Sequence, residues 1–386
     1  MNSRRVALLF VLIIGVANLF ADFTYEGGRS INGQFLGTLG ASAIAVGFIA
    51  GLGELVGYGL RAIVGFFADR TGRYWLATIS GYTINMIAVP LLALAGNWPI
   101  AAMLIVAERA GRAIRKPATE TMLSYAGSRI GQGWVFGLNE FLDQTGAMLG
   151  PLMMSLVLLY HGDFRTGYRL LWVSAGLCIT IVLIARYYFP KPRNLVRSDG
   201  LEIAGFSSSY WWYMIAAGCI ATGFADFALI GYHFQQAHTI SAATVPLYYA
   251  VAMGVGAIGA LIFGRLFDRG SINTIFGSVF LSAGFAPLVF LGNGKLALGG
   301  MVLWGLGSAS QESLLKSLVA GIVPSIRRAT GFGLFDTGFG IAWFMGSWFM
   351  GYLYSKSITE LVVFSVCLQL LSLPIFWLAY RRPVAL

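Results

Sequence analysis

Long apolar stretches follow one another along the whole of this chain, and each is long enough to cross the hydrocarbon core of a bilayer, which takes about 20 residues of helix. Hydrophobic residues make up 57% of the sequence and charged residues 11%, which excludes an ordinary water-soluble fold. Because backbone in lipid must satisfy its own hydrogen bonds, each stretch is expected to be helical. The twelve predicted spans are 6–28, 40–67, 75–95, 99–125, 133–160, 167–189, 210–236, 243–266, 273–292, 296–323, 331–354 and 358–380. The sequence therefore predicts an all-α integral membrane protein with twelve transmembrane helices.

The basic residues of the connecting segments indicate how these spans are oriented. Fifteen lysines and arginines lie on the termini and the even-numbered connections, against five on the odd-numbered connections. Because basic loops are retained in the cytoplasm, this asymmetry predicts a multi-pass protein of the cell membrane, such as a bacterial inner membrane, with both termini cytoplasmic. The net charge of +10 is spread over many short loops, so it reflects topology, and no nucleic-acid partner is expected.

Few residues in the sequence offer reactive or metal-binding chemistry. Cys178, Cys219 and Cys367 lie inside apolar stretches and lack the spacing of metal ligands or of a disulfide framework. The sequence holds three histidines, and it shows no glycine-rich phosphate loop, activated nucleophile or haem motif. We therefore expect the chain not to be an enzyme and to hold no cofactor and no metal.

Short motifs recur between the two halves of the sequence. The pairs are Phe20-Ala21-Asp22-Phe23 with Phe224-Ala225-Asp226-Phe227, Gly65-Phe66-Phe67-Ala68-Asp69-Arg70 with Gly264-Arg265-Leu266-Phe267-Asp268-Arg269, and Phe136-Gly137-Leu138 with Phe332-Gly333-Leu334. Their separations lie between 196 and 204 residues and keep the same order, which indicates the internal duplication of a transporter. The predicted domains are a six-helix bundle at 1–189, a cytoplasmic linker at 190–209 and a second six-helix bundle at 210–386.

The loop between spans two and three carries the most specific motif. Gly65 to Tyr74 resembles the G-x-x-x-D-R-x-G-R-[RK] loop of the major facilitator superfamily, with Tyr74 in place of the last base. The resemblance implies two pseudo-symmetric six-helix bundles around a cavity that opens alternately to either side. It also implies a conformational switch formed by Gly65, Asp69, Arg70, Gly72, Arg73, Asp268 and Arg269. Physically, the glycines allow close helix approach, and Asp69 can stabilise a neighbouring helix N-terminus.

Span five carries a second motif built on small residues. Gly137, Gly146 and the pair Gly150-Pro151 resemble the antiporter signature of drug-efflux members of the superfamily, with Met153-Met154 in place of its terminal glycines. Small residues let helices pack closely, and a proline bends the helix. Ordinary glycine packing is the alternative explanation.

Acidic residues inside the predicted spans are the candidates for proton coupling, since an ionisable group in lipid costs roughly 3 kcal/mol. In span one, Asp22, Tyr25, Glu26 and Arg29 fall within an arc of about 100°. An ion pair between Glu26 and Arg29 is the structural alternative. In span five, the carboxylates of Glu140 and Asp143 lie one turn apart and repel each other. This arrangement favours proton uptake by one of them, unless arginines of span four neutralise them. The proton-coupling set is Asp22, Glu26, Glu140, Asp143, Asp226 and Asp336.

Span four has a strongly charged face. Glu108, Arg109, Arg112, Arg115, Lys116 and Glu120 lie within an arc of about 140°. We interpret Arg115 and Lys116 as interfacial anchors, whereas Arg109 and Arg112 lie deeper and either bind an anionic group or neutralise Glu108. For Glu312, an ion pair with Lys316 is the alternative. The predicted substrate-binding set is Arg29, Asn85, Arg109, Arg112, His233 and Glu312.

These features together predict a secondary transporter that works by alternating access. The first hypothesis is proton-coupled efflux of a small amphipathic or anionic compound by a monomer. Proton-coupled uptake of an organic anion and a non-transporting membrane sensor on a carrier fold are the alternatives. The expected partners are a small-molecule substrate, protons and the lipid bilayer, and the sequence leaves the substrate open.

Overall fold

The computed structural model describes residues 3–130, 132–190, 207–268, 273–315, 318–319 and 328–381, and this part of the chain is almost entirely helical. The helices are α1 (Ser3–Thr38), α2 (Ala43–Thr71), α3 (Tyr74–Leu91), α4 (Trp98–Ile130), α5 (Gln132–His161), α6 (Phe164–Tyr188), α7 (Ser208–Gly223), α8 (Phe227–Ala237), α9 (Thr244–Asp268), α10 (Asn273–Ala283), α11 (Phe285–Phe290), α12 (Gly294–Ser310), α13 (Arg328–Lys356) and α14 (Ile358–Arg381). A 3-10 turn at Leu92–Leu94 extends α3, and a π-helical turn at Gln311–Leu315 extends α12.

The helices correspond to the twelve predicted spans. Helices α7 and α8 share the seventh span, and α10 and α11 share the ninth. Nine of the segments that the structure describes are long and apolar enough to cross a membrane, with α7 and α8 counted as one segment and α10 and α11 as another. Helix α4 is not among them because its middle carries the charged face. The predicted all-α membrane architecture is confirmed.

The chain divides into two compact units. The first comprises Met1–Phe35, Leu60–Ser198 and Ala242–Ala250. The second comprises Leu36–Gly59, Asp199–Ser241 and Val251–Leu386. Residues 191–206 of the predicted linker lie outside the described part of the chain. The division at 190–209 stays a prediction.

Glycines set the helix packing of the first unit. A Cβ on Gly81 of α3 would lie 2.7 Å from the carbonyl oxygen of Gly111 on α4, and one on Gly111 would lie 2.8 Å from that of Gly81. On α5, a Cβ on Gly150 would lie 2.9 Å from the backbone nitrogen of Gly27 on α1. Such contacts allow two backbones to approach as closely as helices can, which fixes both the crossing points and the rotation of each helix.

An aromatic cluster forms the centre of the second unit. The ring of Phe224 lies 5.1 Å from that of Phe285, 5.5 Å from that of Trp304 and 5.6 Å from that of Trp343. The indole N–H of Trp304 donates to the carbonyl oxygen of Ala225 at 2.9 Å. The cluster therefore packs around the point where α7 ends and α8 begins.

Large apolar side chains remain exposed on the outer faces of many helices. Leu159 of α5 is 67% exposed, Val173 of α6 is 66% exposed and Leu261 of α9 is 67% exposed. In water such a surface would drive aggregation, whereas in a bilayer it contacts lipid of the same polarity. Several charged residues of the predicted spans are buried instead, among them Asp22, Glu108 and Arg115.

Candidate functional site

A cavity of about 330 Å³ lies within the first unit, between α1, α4 and α5. All of its lining residues except Leu123 are polar or charged. The lining residues are Asn18, Asp22, Tyr25, Arg112, Arg115, Lys116, Thr119, Glu120, Leu123, Asn139, Glu140 and Asp143. The cavity therefore contains most of the charged side chains that the sequence placed on these three helices.

The glycine contacts explain why these side chains share one cavity. Gly146 and Gly150 lie against the backbone of α1 around Leu19 and Phe23, so the face of α1 next to that contact is held against α5. Pro151 lies within the same helix, directly after the contact. Gly81 and Gly111 hold α4 against α3 in the same way. The charged faces of α1, α4 and α5 are then left with each other as neighbours.

Asp22 forms a buried ion pair with Arg115 at 3.5 Å. Arg115 also donates to Asn18 Oδ1 at 3.0 Å, and its guanidinium lies 4.5 Å from the centre of the Tyr82 ring. The interpretation of Arg115 as an interfacial anchor is wrong, since only 5% of the residue is exposed. The contact with α1 buries it, and a helical wheel of α4 alone does not show that contact.

Asn18 is a site residue that sequence reasoning missed. Its Oδ1 accepts from Arg115 and from the hydroxyl of Tyr82, and its Nδ2 donates to Asn139 Oδ1 at 2.7 Å. Asn18 is buried and lies one helical turn before Asp22, on the same face of α1. Its position on that face is the feature of the sequence that could have identified it. The Asn18 side chain connects α1, α3, α4 and α5 in one hydrogen-bonded network.

Glu26 lies one turn after Asp22 and has two partners. It forms the ion pair with Arg29 that the sequence offered as an alternative, at 3.9 Å. The hydroxyl of Tyr249 donates to Glu26 Oε2 at 2.5 Å. Tyr249 is fully buried, belongs to the segment of α9 that is part of the first unit, and carried no signal in the sequence.

Glu108 and Asn85 hold the outer part of the charged face of α4 in place. Glu108 pairs with Arg109 at 3.4 Å. Asn85 of α3 donates to Glu108 Oε1 at 3.0 Å and to the Glu108 carbonyl oxygen at 3.1 Å. All three residues are buried. The geometry gives Asn85 the role of orienting Glu108, and substrate contact by Asn85 or Arg109 stays a prediction.

Arg112 and Asp143 differ from the other buried charges of the cavity. The guanidinium of Arg112 lies 4.4 Å from the centre of the Tyr25 ring, a cation–π contact. Among the residues that the structure describes, neither side chain has an oppositely charged group within 4.0 Å. Asp143 Oδ2 accepts from Asn139 at 3.1 Å, and its Oδ1 is buried without a hydrogen-bond partner in that part of the chain.

Two further acids of the cavity, Glu140 and Glu120, have partners nearer the solvent. Glu140 is exposed and accepts from Gln144 Nε2 at 2.8 Å. Glu120 pairs with Lys116 at 3.9 Å, and its side chain is 51% exposed. Glu140 and Asp143 thus differ in their exposure, since Glu140 is exposed and Asp143 is half-buried, although both line the same cavity.

Two predicted site residues of the second unit, Asp226 and His233, are buried against other residues of that unit. Asp226 is buried at the start of α8, where its Oδ1 accepts from the backbone N–H of Ala228 at 2.9 Å. His233 is buried, its Nδ1 lies 3.1 Å from the hydroxyl of Tyr354, and its ring lies 5.0 Å from that of Phe290. Asp336 of α13 is half-buried. Proton coupling by Asp226 or Asp336 and substrate binding by His233 stay predictions.

The predicted switch loop forms a tight connection between α2 and α3. Helix α2 ends at Thr71, Gly72 takes the left-handed conformation with a φ of +66°, and α3 begins at Tyr74. Arg70 and Arg73 are exposed, and a Cβ on Gly65 would make ordinary contact with Pro117. Arg269 and the side chains of Asp69, Asp268 and Glu312 lie outside the described part of the structure, as do the surroundings of Gly137.

Comparisons with known proteins give one consistent result. The sequence model of the Major Facilitator Superfamily matches residues 6–347. An uncharacterized protein of Mycobacterium tuberculosis is 37% identical over 97% of this chain and 93% of its own length. An uncharacterized transporter of the same superfamily from Methanocaldococcus jannaschii is 23% identical over 90% of this chain and 89% of its own. The multidrug resistance protein MdtH of Proteus mirabilis is 29% identical over 50% of this chain and 46% of its own.

Solved structures with the same fold are transporters. A bacterial homolog of the human lysosomal transporter Spinster, in an inward-facing conformation, matches 99% of this chain and 98% of its own with a TM-score of 0.75 and 15% identity. The nucleoside transporter NupG matches 95% of this chain and all of its own with a TM-score of 0.74 and 13% identity. The predicted fold of two six-helix bundles is confirmed, and the chain is a multi-pass membrane protein of a transporter family. With its motifs, its helices and its sequence all in agreement, the chain belongs to the Major Facilitator Superfamily.

Proposed function

We propose that this protein is a proton-coupled secondary transporter that exports a small amphipathic or anionic compound. The observation that carries the proposal is the cavity of the first unit, where Asp22, Arg112, Arg115 and Asp143 line one space. Burying so many ionisable groups in a membrane protein is costly, and such groups mark substrate and proton pathways in transporters.

The ion pair of Asp22 and Arg115 supports proton coupling. A proton on Asp22 would remove the negative partner of Arg115 and leave a buried, uncompensated cation beside Asn18 and Tyr82. Such a change favours a different arrangement of the helices that carry the pair. Proton binding at Asp22 would in this way alter the equilibrium between the two cavity orientations.

Two further observations favour export. The span-five pattern that resembles the signature of drug-efflux carriers lies in the contact between α5 and α1, at Gly146 and Gly150. Relatives named as multidrug resistance proteins align with about half of the chain. Arg112, in contrast, has no ionic partner within 4.0 Å among the residues that the structure describes, and this favours the alternative of anion uptake. A proton on a nearby carboxylate and an anion on Arg112 would then bind together.

Proteoliposomes with an internal pH indicator test the proposal. In vesicles that are acidic inside, exchange predicts that a transported compound added outside accumulates and raises the internal pH. In vesicles that are acidic outside, cotransport predicts that the compound lowers the internal pH. Vesicles with the Asp22→Asn variant and vesicles without protein are the controls. A compound that accumulates without any change of internal pH would exclude proton coupling, and a chain that moves no compound at all would support the sensor hypothesis.

A further inference from the structure

Nine of the charged side chains that the structure describes on α1, α4 and α5 are buried or half-buried in the first unit. They are Asp22, Glu26, Arg29, Glu108, Arg109, Arg112, Arg115, Lys116 and Asp143. Six of them form the pairs Asp22–Arg115, Glu26–Arg29 and Glu108–Arg109, with distances of 3.5, 3.9 and 3.4 Å. Lys116 pairs with the exposed Glu120 at 3.9 Å. Arg112 and Asp143 remain; they carry opposite charge and line the same cavity, and within the described part of the chain neither has an ionic partner within 4.0 Å.

Each of these two side chains has only part of the stabilisation that its charge requires. Arg112 has the face of Tyr25, and Asp143 has a single hydrogen bond from Asn139 while its second oxygen has no partner in the described residues. A charged group that is buried and incompletely hydrogen-bonded has a higher free energy than the same group in water. A group that pairs with either of them in the cavity therefore gains more than the same pair would gain on a surface.

We propose that the substrate of this transporter is amphoteric, with an anionic group that pairs with Arg112 and an ammonium-type group that pairs with Asp143. This inference rests on the proposed function, since it assigns the compound that the cavity binds. The fork of a guanidinium matches a carboxylate or a phosphate, and a carboxylate matches an ammonium donor. The cavity of about 330 Å³ lies at the lower end of the range for small-molecule sites, so the compound is of metabolite size.

A substrate with one charge fits this site less well. An anion alone leaves Asp143 unpaired, and a cation alone leaves Arg112 unpaired, so each loses what the second pair would contribute. The arrangement also connects binding with proton exchange. A proton and an ammonium group compete for Asp143, so the compound and the proton occupy the carboxylate in turn, as exchange requires.

Titration calorimetry on the full-length protein in detergent tests the charge preference with two matched sets of probes. The carboxylate set is phenylalanine, phenylpropionate and phenylethylamine, and the phosphate set is phosphoethanolamine, ethyl phosphate and ethanolamine. In at least one set, the amphoteric member is expected to bind about tenfold or more tighter than either singly charged member. The set that shows this preference identifies the anionic group as a carboxylate or a phosphate.

Neutral variants separate the two halves of the site. Arg112→Gln is expected to remove the preference for the amphoteric probe over the cationic one, and Asp143→Asn to remove its preference over the anionic one. Arg112→Lys keeps the positive charge, so the amphoteric preference should remain while binding weakens. Lys356→Gln removes an exposed cation that pairs with Glu360 in the second unit, and it should bind like the unchanged protein.

The possible outcomes are distinct. Equal binding of the amphoteric and anionic probes would mean that Asp143 carries a proton in place of a substrate group, and it would overturn the proposal, as would the absence of binding in both sets. Because the measurement uses no proton gradient, its result is independent of the transport assay. Proton-coupled movement of a singly charged compound would retain the proposed function and refute the amphoteric site, whereas amphoteric binding without proton movement would do the reverse.

Discussion

At the scale of single residues, the buried charges of the first unit show why side chains of the same type end up with different roles. Arg109, Arg112 and Arg115 lie on one face of α4, and the sequence divided them only by their depth along the helix, which placed Arg115 at the interface. In the structure, Arg109 pairs with Glu108 and Arg115 pairs with Asp22, whereas Arg112 lies over the ring of Tyr25 and has no ionic partner within 4.0 Å among the described residues. The rotation of α4 against α1 and α3 decides this division.

Replacing Asp22 by asparagine is expected to separate coupling from binding. The amide imitates the protonated carboxyl, so uphill transport should be lost while binding and exchange at equal pH are retained. Arg112→Ala should instead lose binding itself, because it removes a substrate partner. Transport with and without a pH gradient and direct binding measure the two effects, with Glu360→Gln as an exposed acid-to-amide control. Loss of binding in both variants alike would show that the charges form one structural network.

At the scale of helices, the same short sequence forms two different structures. Phe20-Ala21-Asp22-Phe23 lies inside the continuous helix α1, whereas Phe224-Ala225-Asp226-Phe227 contains the break between α7 and α8. The carboxylate of Asp22 pairs with Arg115, and that of Asp226 accepts from the backbone N–H of Ala228. Ser365 of α14 donates to the Gly223 carbonyl oxygen at 2.6 Å, which satisfies an acceptor at the end of α7. Partners on other helices therefore decide whether this motif continues or ends a helix.

The contact between α1 and α5 predicts that Gly150→Ala destabilises the protein. The added methyl group would lie 2.9 Å from Gly27 N and closer still to Phe23 O, so the helices must separate, at a cost of about 1–3 kcal/mol. Gly176→Ala on α6 is the matched control, since its methyl group meets no atom within 4 Å, and it should be neutral or slightly stabilising. Thermal unfolding of the purified variants measures both. Equal stability of the two variants would refute the close packing of α1 and α5.

The start of α6 predicts a stability change that depends on pH. Asp163 accepts from the backbone N–H groups of Arg165 and Thr166, both at 3.1 Å, and from the Thr166 hydroxyl at 2.9 Å. Slight burial acts to raise the pKa of Asp163, but these hydrogen bonds outweigh it, and the pKa lies below its usual value. A carboxyl with a lowered pKa stabilises the fold above its ordinary pKa, and this contribution is lost as the pH falls through the lowered value.

Asp163→Ala is accordingly expected to lower the free energy of unfolding by about 1 kcal/mol at neutral pH and by less in acid. Asp163→Asn keeps a capping oxygen, so it should remain near the original stability at neutral pH without the change in acid. Unfolding of the three proteins at several pH values measures the differences. A constant deficit of Asp163→Ala down to strongly acidic pH would contradict the assignment.

At the scale of the whole molecule, the asymmetry of basic residues predicts the orientation in the membrane. In a chain without its three native cysteines, new cysteines replacing Asn97 and Lys295 should react with an impermeant thiol reagent from outside the cell. A cysteine replacing Thr71 should react only after the membrane is opened. Asn97, Lys295 and Thr71 are exposed, so accessibility reports the side of the membrane. The reversed pattern would refute the predicted orientation.

The membrane class, the helical architecture and the family could all be predicted from the sequence. Apolar stretches of this length have one stable backbone conformation in hydrocarbon, and the loop from Gly65 to Tyr74 carries its motif in consecutive residues. Asp22, Arg112 and Asp143 could also be predicted from the sequence as site residues, because a charge inside a lipid-spanning helix must face a polar interior. All three line the cavity. These are local rules, which a linear pattern can show.

The pairing of the charges depends on the tertiary structure, which places Arg115 beside Asp22 and leaves Arg112 and Asp143 without an ionic partner within 4.0 Å among the described residues. Helix periodicity shows which side chains share a face of a helix, whereas an ion pair requires two atoms within 4 Å. That precision comes from the crossing points at Gly81, Gly111, Gly146 and Gly150, where backbones meet with no side chain between them. They bury Arg115 against Asp22, bring unpredicted Asn18 into the network, and leave Arg112 and Asp143 in one cavity.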